Sequence, residues 1–202
     1  MFTPRMARRN LARYRRKGLD DLERRMVEAA SAAGLEDARV LEIGGGIGTL
    51  QAELLSQGAA QGEVVELVAA YEPYARELAR EKGLEERTTF RVADVLEAPG
   101  AVEPADVVLL NRVVCCSPDG VALAGEAAKL AQRTFVLSFP RDVIWVRSGL
   151  RLVNLGLRVL RRSFRTFVHP PAALAAAAEA AGLERADGGH GLVWEFAAFR
   201  RP

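Results

Sequence analysis

The sequence predicts an α/β protein with a doubly wound, mostly parallel β-sheet, on the basis of two observations. Short apolar runs alternate with longer segments of helical periodicity, and a glycine-rich loop at 44–48 directly follows the first of these runs. Strands that alternate with helices form right-handed βαβ units, which place successive strands in parallel. The predicted strands lie at about 39–43, 62–67, 88–92, 105–110 and 133–138.

Helical segments separate or follow the predicted strands. They lie at about 18–33, 49–57, 71–82, 119–131 and 171–181, and the apolar tail at 192–199 suits a final strand. We therefore expect residues 1–37 to form a basic, helical N-terminal arm. Residues 38–202 then form the main domain, which is long enough to bury a full core.

Composition is typical of a globular protein, because half of the 202 residues are hydrophobic and 27% are charged. Aromatic residues make up only 6%, which argues against stacking platforms for single-stranded nucleic acid. The only cysteines, Cys115 and Cys116, are adjacent, so neither a disulfide scaffold nor a metal site is expected. No secretory signal pattern opens the chain, and a cytoplasmic location is the simplest expectation.

Positive charge is concentrated in two segments. Residues 1–17 contain seven basic residues and no acidic one, and residues 141–165 contain seven arginines and a single acid, Asp142. Such segments indicate either an anionic partner or a solvated basic face, and the sequence leaves both interpretations open.

The stretch 143–160 interrupts the strand–helix alternation after the fifth strand. Arg147, Arg151 and Arg158 share one helical face, and the other faces are strongly apolar. Arginines are costly at bilayer depth, so we predict a basic amphipathic helix rather than a transmembrane span. This insertion, at about 141–165, is expected to close over an acceptor, to contact a membrane surface peripherally, or to pack with a solvated arginine stripe.

The loops after the strands hold the candidate chemistry, because ligands of doubly wound sheets bind beyond the carboxyl ends of the strands. Glycines at 44, 46 and 48 allow positive φ, and the loop amides favour an anionic or electron-rich group. A dinucleotide fingerprint would place its third glycine where Thr49 stands, so a nicotinamide cofactor is not favoured.

Acidic residues follow the second and third strands. Glu66 can accept hydrogen bonds from two ribose hydroxyls, with Glu63 and Glu72 as competing candidates. Asp94 can accept from an exocyclic adenine amine, while Val95 packs on the ring.

These features, taken in order over about residues 38–140, resemble the motifs of the class I, Rossmann-like S-adenosylmethionine (SAM)-dependent methyltransferases. The resemblance rests on Glu42 with the glycine loop, Glu66, Asp94 with Val95, and Asn111 leading into Pro118-Asp119. It implies a seven-stranded sheet with an antiparallel C-terminal strand, and SAM as cofactor. The implied cofactor-binding residues are Glu42, Gly44, Gly45, Gly46, Gly48, Glu66, Leu67, Asp94, Val95 and Asn111.

The resemblance also implies methyl transfer to a small or medium organic acceptor. The apolar face and the arginines of the 141–165 insertion suit a hydrophobic acceptor with acid groups, of the porphyrin, quinone-precursor or polyketide kind. Asn111 is followed by Arg112-Val113 and not by a Pro-Pro-aromatic base-handling motif, so nucleic acid is not expected as a partner. The alternative is a regulatory protein that binds SAM without turnover and docks its basic segments on a membrane or nucleic acid.

The sequence assigns no catalytic residue. In-line alignment of donor and acceptor supplies much of the rate, although a hydroxyl acceptor also needs a general base. His169, at a loop-to-helix junction, and Tyr14, in the N-terminal arm, are candidates for which a structural role is equally open, as it is for His190. Cys115 and Cys116 are expected to be buried or to line the substrate side rather than to act as nucleophiles.

Overall fold

The computed structural model describes residues 3–202, and within them seven α-helices surround one seven-stranded sheet. The helices are α1 (Pro4–Lys17), α2 (Asp21–Ser31), α3 (Thr49–Ser56), α4 (Glu72–Glu81), α5 (Gly120–Lys129), α6 (Ile144–Val159) and α7 (Pro171–Ala180). The strands are β1 (Arg39–Ile43), β2 (Gln61–Glu66), β3 (Thr88–Val92), β4 (Ala105–Leu110), β5 (Ala131–Pro140), β6 (Glu184–His190) and β7 (Trp194–Arg200).

The sheet has the strand order β3-β2-β1-β4-β5-β7-β6. The first five strands in chain order pair in parallel, whereas β7 runs antiparallel to both β5 and β6. The predicted doubly wound, mostly parallel sheet with an antiparallel C-terminal strand is therefore confirmed. The order reverses between β1 and β4, and their carboxyl ends form the crevice in which this fold binds ligands.

Successive side chains along each strand point to opposite faces of the sheet, so the apolar core is divided into two clusters, one on each face. On β1, Val40 belongs to the apolar cluster beneath α1 to α4, while Leu41 belongs to the cluster beneath α5 and α7. On β4, Leu109 and Leu110 divide in the same way. Burial on both faces explains why these strands appear in the sequence as continuous apolar runs.

The N-terminal region contains two helices where the sequence predicted one at 18–33. Helix α1 begins after Thr3, whose side chain accepts from the Met6 amide, and it ends at Gly18 with φ of 63°. Ala7 and Leu11 of α1 are fully buried in the same cluster as the sheet residues. The arm therefore packs onto the core, and the proposed boundary between residues 37 and 38 stays a prediction.

Strand β6 was not identified from the sequence. It lies at the edge of the sheet, and most of its residues are exposed, so it lacks the apolar signal of a buried strand. His190, at its end, is exposed, and its Nδ1 lies 3.2 Å from the Gly191 carbonyl oxygen.

The insertion after β5 forms helix α6, where a basic amphipathic helix was predicted. Val146 is its only buried residue. Among the residues that the structure describes, no helix has both the length and the apolar composition needed to cross a membrane.

Candidate functional site

A cavity of about 530 Å³ opens at the carboxyl ends of β1, β2, β3 and β4. This volume lies within the range of small-molecule sites. Its lining combines three groups of residues. The ends of β1 to β4 and the segments that follow them supply Glu42, Ile43, Gly44, Gly45, Gly46, Ile47, Thr49, Val65, Glu66, Leu67, Val68, Tyr71, Ala93, Asp94, Val95, Leu96, Asn111, Arg112 and Val113. The two N-terminal helices supply Asn10, Arg13 and Glu23. Four further residues complete the lining: Cys116, Ser117, Leu123 and Phe164.

The glycine loop turns sharply between β1 and α3. Gly44 and Gly46 adopt φ of 65° and 58°, in the left-handed region that favours glycine. The Gly44 amide donates to the Val65 carbonyl at 2.7 Å, and the Gly46 amide donates to Glu66 Oε2 at 3.0 Å. The loop is thus tied to the end of β2 by both its backbone and a carboxylate.

Gly48 does not share this position, although the sequence grouped it with the cofactor residues. It caps the start of α3 outside the cavity lining, with φ of 75°. A Cβ at Gly48 would lie 2.7 Å from Val64 Cγ2, so this glycine lets α3 approach β2 closely. Gly48 therefore has a packing role in the fold, and its contact with the cofactor stays a prediction.

Glu42 lies at the bottom of the cavity and is only 1% exposed. Its Oε2 accepts a hydrogen bond from the Gln51 amide at 2.9 Å, which ties β1 to the first turn of α3. Burial raises the pKa of Glu42 to about 8, since removing a carboxylate from water disfavours its charged form. The free protein therefore holds this carboxyl largely protonated at neutral pH.

Glu66 lies in the cavity at the end of β2, next to the exposed Leu67. Its Oε1 accepts from the Val68 amide at 3.1 Å, and burial raises its pKa above the ordinary carboxyl value. The two competing carboxylates lie elsewhere. Glu63 is buried between Arg39 and Arg91, each at 2.6 Å, and Glu72 pairs with Arg76 on α4.

Asp94 and Val95 lie together in the cavity after β3. Asp94 Oδ1 accepts from the Leu96 amide at 2.8 Å, which fixes the turn and leaves Oδ2 for a ligand. Val95 is 3% exposed and packs in the cluster beneath α5.

Asn111 lies in a polar network that the sequence did not predict. Its Nδ2 donates to Glu23 at 3.2 Å, and its Oδ1 accepts from Ser138 at 2.8 Å. Arg112, with φ of 59°, forms an ion pair with Asp20 at 2.5 Å and lies 3.6 Å from Glu23. This network fixes the start of α2 over the end of β4, so that Glu23 faces the cavity.

Neither catalytic candidate lines the cavity. Tyr14 is buried on α1, where its hydroxyl donates to Glu53. The Nε2 of the buried His169 lies 3.0 Å from the Val114 carbonyl oxygen and 3.1 Å from that of Ser117, so it donates to one or both. Both side chains have structural partners, and a catalytic role for either stays a prediction.

Several lining residues were missed by sequence reasoning. Tyr71 is the last residue of the connection between β2 and α4, and burial raises the pKa of its hydroxyl. Phe164 comes from the chain just after α6 and is the only cavity residue that the 141–165 insertion provides within the described residues. Cys116 lines the cavity while Cys115 is buried behind it, and both are free thiols.

The charges of the lining are complementary to a ligand with both cationic and anionic groups. Glu23, Glu42, Glu66 and Asp94 face a cavity that also holds Arg13 and Arg112. The glycine loop gives a ligand close access to the backbone, since a Cβ at Gly46 would occupy part of the space beside Tyr71. SAM carries a sulfonium, an ammonium, a carboxylate, ribose hydroxyls and an adenine amine, and the residues present fit each of these groups.

Comparisons with known proteins point to the same ligand. Residues 41–136 match the model of a family described as a methyltransferase domain. No curated protein has a sequence that matches this chain significantly.

Solved structures share the fold at low sequence identity. Magnesium protoporphyrin IX methyltransferase from Synechocystis PCC 6803 with bound SAM is 18% identical with a TM-score of 0.68, over 90% of this chain and 78% of that one. The structure of the same protein with bound SAH is 19% identical with a TM-score of 0.71, over 90% of this chain and 82% of that one. An O-methyltransferase family 2 protein from Planctomyces limnophilus in complex with apigenin is 16% identical with a TM-score of 0.71, over 100% of this chain and 62% of that one.

The family match spans β1 to β5, which are the strands whose loops build the cavity. The seven-stranded sheet with its antiparallel β7 has the architecture that the sequence resemblance implied. On these grounds residues 41–136 form a methyltransferase domain, the chain has the fold of the class I SAM-dependent methyltransferases, and SAM is the cofactor of that domain.

Proposed function

We propose that this protein transfers the methyl group of SAM to a small or medium hydrophobic organic acceptor that carries acidic groups. The observation that carries the proposal is the composition of the cavity at the carboxyl ends of the strands. Polar motif residues form one part of its lining, and Val113, Cys116, Leu123 and Phe164 add a less polar part that the cofactor motifs do not include.

The polar part suits the cofactor. Glu66 Oε1 and Oε2 already accept from backbone amides, and each oxygen retains a lone pair for a ribose hydroxyl. Asp94 Oδ2 and Val95 suit the adenine, and the amides of Gly44 to Gly46 line the path toward Glu42. Glu23 provides negative charge for the methionine ammonium, and Arg112 provides positive charge for its carboxylate.

When bound, SAM supplies a methyl group that its sulfonium already activates toward a nucleophile. The protein's contribution is to hold acceptor and donor in line and to exclude water, which together supply about 7–11 kcal/mol in well-oriented reactions. The lining contains no histidine or lysine within the described residues. It therefore favours an acceptor group that is already ionised, such as a carboxylate or an acidic phenol, over an alcohol that needs a strong base.

Two of the structural neighbours fit this acceptor class. One neighbour is named for a magnesium porphyrin and another was solved with apigenin, both of which are planar, largely apolar molecules with acidic groups. Phe164 and Leu123 offer apolar contacts to such a ring system, and Arg13 lies on the same lining to pair with an acidic substituent.

A turnover assay tests the proposal. The purified protein is incubated with SAM and a panel of a dicarboxylic porphyrin, a hydroxyflavone and a hydrophobic carboxylic acid, and S-adenosylhomocysteine is quantified with the methylated product. We expect product with at least one of these acceptors, and none from a Phe164→Asp variant that still binds SAM. Tight SAM binding without product from any acceptor would instead support a regulatory protein that binds SAM without turnover.

A further inference from the structure

Helix α6 carries an apolar surface that the described part of the chain leaves exposed to water. The described residues include ten large apolar side chains that are strongly exposed, and seven of them lie on or directly after α6. These seven are Ile144, Trp145, Leu152, Val153, Leu155, Val159 and Leu160, with exposed fractions between 48% and 83%. Such a concentration marks an interaction surface, because scattered apolar side chains would need no explanation.

The helix turns this surface away from the protein. Val146 is buried, Leu150 and Leu157 are half-buried, and Asn154 bonds to Thr166 through both its amide oxygen and its amide nitrogen. These four positions share one side of a helix that advances 100° per residue, and that side faces the body of the protein. Leu152 and Val159 lie roughly opposite and point outward. No residue of α6 lines the cavity, so the expected closure of this helix over the acceptor is not what the structure shows.

Arginines border the outward apolar surface on one side. Arg147, Arg151 and Arg158 share a flank of α6, and Arg161 and Arg162 follow its end, all of them exposed. Within the described residues Arg147 pairs with Asp142, while Arg151, Arg158, Arg161 and Arg162 have no acidic partner. Positive charge beside an outward apolar face is complementary to a surface that is apolar inside and anionic at its rim.

We propose that α6 docks this protein peripherally on an anionic lipid membrane, with its axis in the plane of the interface. Its apolar face would enter the boundary between headgroups and acyl chains, with Trp145 at headgroup level and the arginine flank on the anionic lipids. A second copy of the chain is a poorer occupant. A two-fold interface would bring the same patch from each copy together, and antiparallel pairing of the two helices would set their arginine flanks side by side.

Flotation of the full-length protein with lipid vesicles tests this docking without any turnover. We expect binding to vesicles that contain phosphatidylglycerol, little binding to phosphatidylcholine alone, and weaker binding as salt rises. Leu152→Gln, Leu155→Gln and Val159→Gln together should weaken the partition by about tenfold or more. All three side chains are exposed, so the variant should keep the circular dichroism spectrum and SAM affinity of the wild type.

Charge is tested with a matched pair of triple variants. Changing Arg151, Arg158 and Arg162 to glutamine should weaken the partition by about tenfold or more, since each basic residue near an anionic surface adds about fivefold. Changing Arg5, Arg8 and Arg9 on α1 to glutamine removes the same charge from the other exposed basic segment and should have less than about a twofold effect.

Two results would overturn the proposal. One is equal vesicle binding by the wild type and both α6 variants. The other is a wild-type dimer in sedimentation analysis that the leucine-and-valine variant dissociates, because the apolar face would then belong to a second copy. Trp145 emission gives an independent check in a Trp194→Phe background, where it is the only tryptophan and should shift to shorter wavelength on anionic vesicles.

Discussion

Glu66 Oε2 accepts a hydrogen bond from the Gly46 amide at 3.0 Å, so the carboxylate that ends β2 also supports the glycine loop that follows β1. The two residues are twenty positions apart, and the parallel pairing of β1 with β2 brings them together. One acidic side chain therefore shapes the cavity wall and faces its interior. Changes at Glu66 are expected to affect the loop and the ligand together.

Glu66→Ala should weaken SAM binding by about tenfold to a hundredfold. The variant loses the carboxylate that we expect to accept from two ribose hydroxyls, and hydrogen bonds to charged groups contribute about 1.5–3 kcal/mol. It also releases the Gly46 amide. Isothermal titration calorimetry with SAM and S-adenosylhomocysteine measures the loss.

Glu72→Ala and Glu63→Ala are the matched controls for that change. Glu72 pairs with Arg76 on the surface of α4, so its loss should alter affinity by less than about twofold. Glu63 is buried between two arginines, so its loss should lower the melting temperature and leave SAM affinity nearly unchanged. A larger affinity loss from Glu72→Ala than from Glu66→Ala would contradict our assignment of the ribose ligand.

The central strands were predictable because burial on both faces requires continuous apolar runs. The limits of the central strands β1 and β4 match the predicted ranges, and the loops after them could be located from those limits. The limits of β3 match as well, although β3 is a mostly exposed edge strand, because its Thr-Thr-Phe-Arg-Val sequence is rich in β-branched and aromatic residues. Strand β6 was not predictable in this way, since an exposed edge strand such as 184–190 carries polar residues. Helix α1 was missed although Thr3, Pro4 and Gly18 give ordinary start and stop signals.

The cavity was predicted well wherever its residues follow a strand and less well elsewhere. Glu23 reaches the site from α2, and its position depends on contacts with Asn111 and Arg112, which lie 88 and 89 residues away in sequence. No local pattern reports such a tertiary contact. Gly48 fits the motif spacing and also lets α3 pack closely on β2, and the spacing alone does not indicate which glycines face the ligand.

Glu42→Gln should make the free protein more stable at pH 8 and change its stability little at pH 5. The folded pKa, about 8, is raised above the ordinary 4.5, so the folded state binds more protons than the unfolded state between these values. Stability of the wild type therefore falls as pH rises through this window, on the order of a few kcal/mol, whereas a neutral amide removes the dependence. Melting temperatures without SAM at both pH values measure the difference.

Glu36→Gln is the control for this pH dependence, because Glu36 is exposed and the substitution should shift the melting temperature little at either pH. Equal destabilisation of Glu42→Gln at pH 5 and pH 8 would show instead that Glu42 is ionised in the folded protein.

Tyr14→Phe should lower the melting temperature by a few degrees and leave the rate of methyl transfer per folded molecule unchanged. The hydroxyl donates to Glu53, and Lys82 also pairs with Glu53 at 3.2 Å, so the lost hydrogen bond costs about 1 kcal/mol. Thermal denaturation and steady-state turnover at saturating SAM separate the two effects. A fall in turnover with an unchanged melting temperature would return Tyr14 to the active site.

Gly46→Ala should abolish most SAM binding, whereas Gly83→Ala should not affect it. Both glycines have similar positive φ, 58° and 67°, so alanine is strained at either position by about 1–2 kcal/mol. The surroundings differ. A Cβ at Gly83 meets nothing within 4 Å, but at Gly46 it would project beside Tyr71, 3.3 Å from that ring, where the cavity lining admits a ligand. In thermal denaturation, we expect both variants to lose a comparable amount of melting temperature. In calorimetry, we expect only Gly46→Ala to lose SAM affinity. Retained SAM affinity in Gly46→Ala would mean that the cofactor does not approach the loop backbone, and the site would then have to be placed elsewhere in the cavity.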